Sequence, residues 1–116
     1  MFKKISGPKL VKRKVYIYIP TEGEGFAKYP MFITFQIEDK SVIEKRQEEY
    51  EAGNPDTDWL NTVIKDWDQY MEDDGKTAVP FNDDELKAFL DKSYCRIACI
   101  QEYFNCANGG VGKRKN

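Results

Sequence analysis

The chain has 116 residues, 41% of them hydrophobic and 14% aromatic, enough apolar material for one modest core and too much for wholesale disorder. No apolar run approaches the ~18 residues of a membrane span, and no apolar segment follows the basic start MFKKISGPKLVKRK, so a cytoplasmic home is expected. There is no histidine, which removes the commonest general base and the commonest zinc ligand, and three cysteines do not suggest a disulfide framework.

The formal charge of −2 conceals an asymmetry. Six basic residues fall in the first fourteen (Lys3, Lys4, Lys9, Lys12, Arg13, Lys14) and three more at Lys113, Arg114 and Lys115, while all 20 acids lie between them. Basic tails of this kind can touch nucleic acid or an acidic partner. The plainer reading is solvated ends on an acidic body, preferred because neither tail interleaves aromatic residues with its basic ones. A flexible basic arm over residues 1–14, a single domain over 15–106 and a flexible basic tail over 107–116 are therefore expected.

In chain order, Val15-Tyr16-Ile17-Tyr18-Ile19 alternates with period two, and Pro20 ends it, so it reads as a strand. TEGEGFAKY reads as a loop, and Met31–Ile37 as a second strand with Met31, Ile33, Phe35 and Ile37 inward. Two consecutive strands most simply form an antiparallel hairpin, which needs helices against its apolar face. Ser41 and Glu44 have capping-box spacing and open a helix that runs to about Ala52 and stops at Gly53. Asn54-Pro55 looks like a cap and first position of the next helix, along which Trp59, Leu60, Val63, Ile64, Trp67 and Met71 form a wide apolar stripe. Asn82 opens a third helix carrying Leu86, Phe89 and Leu90, and a last helix covers Ser93 to Asn105. The fold class is α+β: an N-terminal antiparallel hairpin packed against three or four helices.

Several motifs suggest chemistry and fail on inspection. DWDQYMEDDGKTAVPF, residues 66–81, resembles a calcium loop, but placing Gly75 at the obligatory glycine puts Tyr70 and Phe81 where carboxylates are needed. A helix end near Met71, a turn at Asp73-Asp74-Gly75 and an extended arm Thr77–Phe81 is the simpler reading. GGVGK near the C-terminus lacks the first glycine of a phosphate loop, where Ala107 stands, and its Ser or Thr, where Arg114 stands. Cys95, Cys99 and Cys106 fall within about 40° of each other on a helix, alongside Ile97, Ile100, Tyr103 and Phe104, so core packing is preferred to a metal or redox site. No carboxylate pair stands out, and no enzyme, metal or cofactor is expected.

Three pieces resemble the tail assembly chaperones of long-tailed phages: VYIYIPTEGEGFAKY leading into MFITFQIED; WLNTVIKDWDQYMEDDGKTAVPFNDDELKAFLD, with its order of Trp, Asp-Gly turn and Pro-Phe; and the ending YCRIACIQEYFNCANGGVGKRKN. The cysteine-rich last helix and long basic start depart from that pattern. The resemblance implies a non-enzymatic protein of the infected bacterial cytoplasm, absent from the finished virion. Such proteins bind and solubilise the helical, hydrophobic tape-measure protein and promote assembly of tail-tube subunits around it. Many also have a longer form made by frameshifting, whose extension, which would join here at Gly109–Asn116, can engage the tail-tube protein. No nucleic-acid or membrane partner is implied. A holdase needs exposed apolar surface, so Ile97, Ile100, Tyr103 and Phe104, with Trp59 and Trp67, are the expected client-binding or self-association residues. Two other classes stay open: a structural virion component such as a head–tail connector or tail subunit, joining neighbours by strand addition, and an acidic inhibitor of a host enzyme.

Overall fold

The computed structural model describes residues 1–53 and 56–108, and it is α+β. Strands β1 (Lys9–Pro20) and β2 (Phe26–Ile37) form a long antiparallel hairpin, paired from Lys9 with Ile37 to Pro20 with Phe26. Helix α1 (Lys40–Glu51) follows, then a single turn α2 (Leu60–Val63) running directly into strand β3 (Ile64–Asp68), then α3 (Asp83–Leu90) and α4 (Ser93–Ala107). The sheet order is β1-β2-β3, so β1 is one edge.

The hairpin alternates as its sequence requires. Val15, Ile17, Met31, Ile33 and Phe35 are buried, while Tyr16, Tyr18, Lys28 and Pro30 face out. Its phase is set at the turn, where the Thr21 N–H donates to the Gly25 carbonyl at 3.0 Å and Gly23 adopts φ +84°. Odd-numbered residues of β1 therefore exchange hydrogen bonds with β2, and even-numbered ones turn their backbone groups away from it. Both prolines, Pro20 and Pro30, fall at positions whose nitrogen is not needed by the β1–β2 ladder.

The two expected strands are longer than their apolar cores. β2 begins at Phe26, which shortens the expected loop, and β1 begins at Lys9, so Lys9, Lys12, Arg13 and Lys14 belong to the sheet rather than to a flexible arm. The Arg13 guanidinium reaches Glu102 of α4 at 3.1 Å. At the other end, α4 extends the domain through Ala107, and the glycine-rich basic tail lies outside the described residues.

The larger correction concerns residues 55–71, expected as one amphipathic helix. Among the described residues of that span only Leu60–Val63 is helical, and the chain then extends at Ile64 (φ −86°, ψ 119°) to pair with β2. The pairing shifts by one residue: Ile64 opposes Phe35 and Asp66 opposes Thr34, leaving Lys65 as a bulge. Because of that extra residue, Ile64 and Trp67 both turn inward although three positions apart. A bulged strand thus shows the i, i+3 spacing of a helix. The expected cap at Asn54-Pro55 lies outside the described residues.

Helix starts divide in the same way. Asn82 caps α3, its side-chain oxygen accepting the Glu85 N–H at 2.9 Å, with Asp83, Asp84 and Glu85 in the first turn complementing the helix dipole. The expected capping box at Ser41 is not formed, because α1 starts two residues earlier with Asp39 at the N-cap position and no side-chain cap. Chemical denaturation should therefore show Asn82→Ala costing about 1 kcal/mol and Ser41→Ala only a few tenths.

Candidate functional site

Helix α4 lies against the inner face of the hairpin and centres on Tyr103, which is fully buried. Its ring packs on Phe35 (5.8 Å between centroids), Trp59 (5.1 Å) and Phe104 (5.9 Å). Its hydroxyl donates to the Glu38 carboxylate at 2.7 Å and accepts the Glu38 backbone N–H at 3.3 Å. Arg46 of α1 closes the unit, donating to both Glu38 carboxylate oxygens at 2.8 Å while its guanidinium sits 4.8 Å over the Trp59 ring. One side chain therefore joins β2, α1, α4 and the segment before α2.

A second aromatic unit forms around Trp67. Its indole N–H donates to the Val79 carbonyl at 2.9 Å, and its ring meets Tyr70 and Phe81 edge-on at 5.0 Å and Phe89 at 5.4 Å. Gln69, with φ +64°, turns the chain out of β3. Residues 70–79 then fold as a small hairpin through the Met71–Ala78 bridge, with Gly75 at φ +69°. The turn acids serve the backbone. Asp74 accepts from the N–H of Lys76, the N–H of Thr77 and the Thr77 hydroxyl, which hold its carboxyl down at about 2.

The structure reassigns most of the residues expected to bind a partner. Ile100, Tyr103, Phe104 and Trp67 are core residues and Trp59 is half-buried, so only Ile97, 47% exposed, presents a free apolar surface. The arc on α4 is wide because the helix is covered from several sides, by β1 and β2, by α1 and α3, and by Trp59. Of the cysteines, Cys99 is fully buried, Cys95 is buried and Cys106 is half-buried. Burial pushes the Cys95 and Cys106 thiols up to about 11 and Cys99 in the same direction. Burial thus favours the protonated thiol at neutral pH, the less nucleophilic form. Among the described residues, no group of three or more acids and cysteines is arranged to hold a metal ion, and no helix is long and apolar enough to cross a membrane.

Apart from Met1, Phe2 and Ile5 at the N-terminus and Val42 on α1, the exposed large apolar residues lie around the hairpin, Met71 and the start of α4. One groove of about 360 Å³ runs between β1 and α4, lined by Tyr16, Tyr18, Phe26, Tyr94, Ile97 and Ala98 among others, none of them charged. A second, of about 540 Å³, opens on the other side of Tyr94, with Tyr29 and Met71 on its rim and Cys95 and Phe89 in its wall. Sequence reasoning missed Tyr16, Tyr18 and Phe26 as candidates. Their signal was present in the alternation of β1, which puts aromatic side chains on the face opposite the core. Comparison with protein-family models, curated proteins and solved structures finds no match to this chain.

Burial alone would push the Glu38 carboxyl up, but the Arg46 guanidinium and the Tyr103 hydroxyl outweigh it and hold the carboxyl below its ordinary value of 4.5. A depressed folded value contributes stability that is complete above the unfolded value and lost as pH falls through the folded one. Thermal unfolding should therefore separate the protein from Glu38→Gln most clearly above pH 4.5, with the gap closing on acidification. Tyr103→Phe, which leaves the Glu38 N–H without its acceptor, should cost about 1–3 kcal/mol.

Proposed function

We propose that the chain is a tail assembly chaperone of a long-tailed phage, a non-enzymatic protein that binds the tape-measure protein in the host cytoplasm, keeps it soluble and promotes tail-tube assembly around it. The observation that carries this reading is the unit around Trp67. The three parts of the motif, Trp67, the Asp74-Gly75 turn and Pro80-Phe81, lie within fifteen residues and make one junction, Trp67 bonding to Val79 and meeting Phe81 edge-on. The residue order that gives the resemblance thus forms one local unit of this domain, and the reading rests on that resemblance.

The distribution of surface suits a holdase. Exposed Tyr16, Tyr18, Phe26, Tyr29, Met71 and Ile97 gather around the two grooves, giving an apolar client something to cover. The segment from Asp56 to Glu85 holds ten acids against two lysines and would keep the complex in solution. The client surface is then the hairpin and the first turns of α4, not the aromatic arc of α4.

Co-expression with a candidate tape-measure protein should raise the soluble fraction of that protein and yield a co-purifying complex. Ile97→Glu combined with Phe26→Glu, both at exposed positions, should abolish the rescue while leaving the thermal unfolding midpoint within a few degrees. No rescue by the unaltered chain, or its recovery as a stoichiometric part of purified particles, would sink the reading.

A further inference from the structure

We propose that the second half of β1, Val15 to Pro20, is a docking edge that takes an extended segment of a partner polypeptide by strand addition, in the groove between β1 and α4. The inference stands apart from the chaperone assignment, since it holds for whichever polypeptide supplies the segment.

Three observations converge on it. First, β1 is an edge strand, and its phase turns the N–H and C=O of Lys14, Tyr16 and Tyr18 away from β2. Among the described residues, no backbone hydrogen bond joins β1 to anything outside the hairpin. An edge of this kind is a template for another strand. Second, the two halves of β1 are protected differently. Lys9, Lys12, Arg13 and Lys14 guard the first half with charge, a usual device against unwanted pairing, whereas Val-Tyr-Ile-Tyr-Ile-Pro has none. Third, the unguarded half is the one beside the groove. Tyr16 and Tyr18 on one wall and Tyr94, Ile97 and Ala98 on the other form an uncharged lining in a protein of which 33% of residues are charged.

The lining defines the occupant. A strand laid along β1 would place every second side chain against the α4 wall, so those positions should be apolar or aromatic. Lys14 and Lys28 hold their ammonium groups 5.3 and 4.1 Å from the Tyr16 ring centroid, at the rim, and favour an acidic residue flanking the apolar ones. The chain's own exposed N-terminus, with Lys3 and Lys4, has the wrong charge, which argues against a second copy supplying the segment from there.

The test uses a capped, soluble probe peptide, Glu-Val-Thr-Phe-Thr-Val-Thr-Glu, and amide hydrogen exchange read by NMR. In the free protein the Ile17 and Ile19 amides, bonded within the hairpin, should be protected, and those of Tyr16 and Tyr18 should exchange fast. Added peptide should slow Tyr16 and Tyr18 by roughly tenfold or more. Tyr18→Pro removes an outward N–H without touching the β1–β2 ladder, so it should keep the Ile17 protection and lose the peptide, while Tyr18→Phe binds it. As a check that needs no variant, N-methylation at alternate peptide amides, the set facing β1, should abolish binding, and methylation of the other set should not. The proposal is overturned if millimolar peptide leaves Tyr16 and Tyr18 unslowed, or if both methylated sets bind alike. It is equally overturned if the Tyr16 and Tyr18 amides are already protected in the free protein to a degree that rises with its concentration, which would assign the edge to a second copy.

Discussion

The hydrogen-bonded hydroxyl of Tyr103 is the constraint on which the rest of this structure depends. A tyrosine buried to zero exposure is tolerable only if its O–H finds partners, and here both come from Glu38, one from the carboxylate and one from the backbone. Arg46 then neutralises that carboxylate in a two-pronged contact and lies over Trp59. The ring fixes α4 against Phe35 of the sheet while the hydroxyl fixes the residue at which β2 gives way to α1. Deleting the hydroxyl alone would leave the apolar contacts and remove both bonds to Glu38.

That arrangement determines which surface is available for binding. Since Ile100, Tyr103 and Phe104 are all turned inward, α4 offers a partner only its opposite edge, through Ile97 and its neighbours. The same helix forms one wall of the groove whose other wall is β1. Core and candidate binding surface are thus two sides of one helix, and the inner side positions the outer. The hairpin contributes in the same divided way, with aliphatic residues inward and tyrosines outward along one strand.

The hairpin, the α3 cap and the helical extent of α4 were legible from local patterns, because period-two alternation, an asparagine cap and a long apolar arc each report on their own residues. What was not legible arose from pairing between distant segments. Ile64 and Trp67 share a face in a bulged strand exactly because Lys65 is unpaired, and their three-residue spacing imitates a helix. A periodicity argument has no access to a bulge, which exists only relative to β2. The candidate surface was misread for a related reason. A wide apolar arc signals either exposure or contact on several sides, and the deciding partners, Trp59 and the hairpin, lie far away in sequence. Within residues 66–81 the turn at Asp73-Asp74-Gly75 was read correctly, but the expected helix end near Met71 is a strand leading into a small hairpin, and Thr77 and Ala78 belong to that hairpin rather than to an extended arm.

The aromatic residues of α4 and β3 hold the domain together, and the β1–α4 groove is the surface proposed to meet a partner. The two tryptophans make this directly measurable, since their indole N–H signals report on the core independently of the surface. In a complex with the proposed tape-measure client, NMR should show large shifts at Tyr16, Tyr18 and Ile97, with the Trp67 indole signal unmoved in its bond to Val79. A complex in which the Trp67 and Tyr103 signals move while Tyr16, Tyr18 and Ile97 stay where they are would contradict the account.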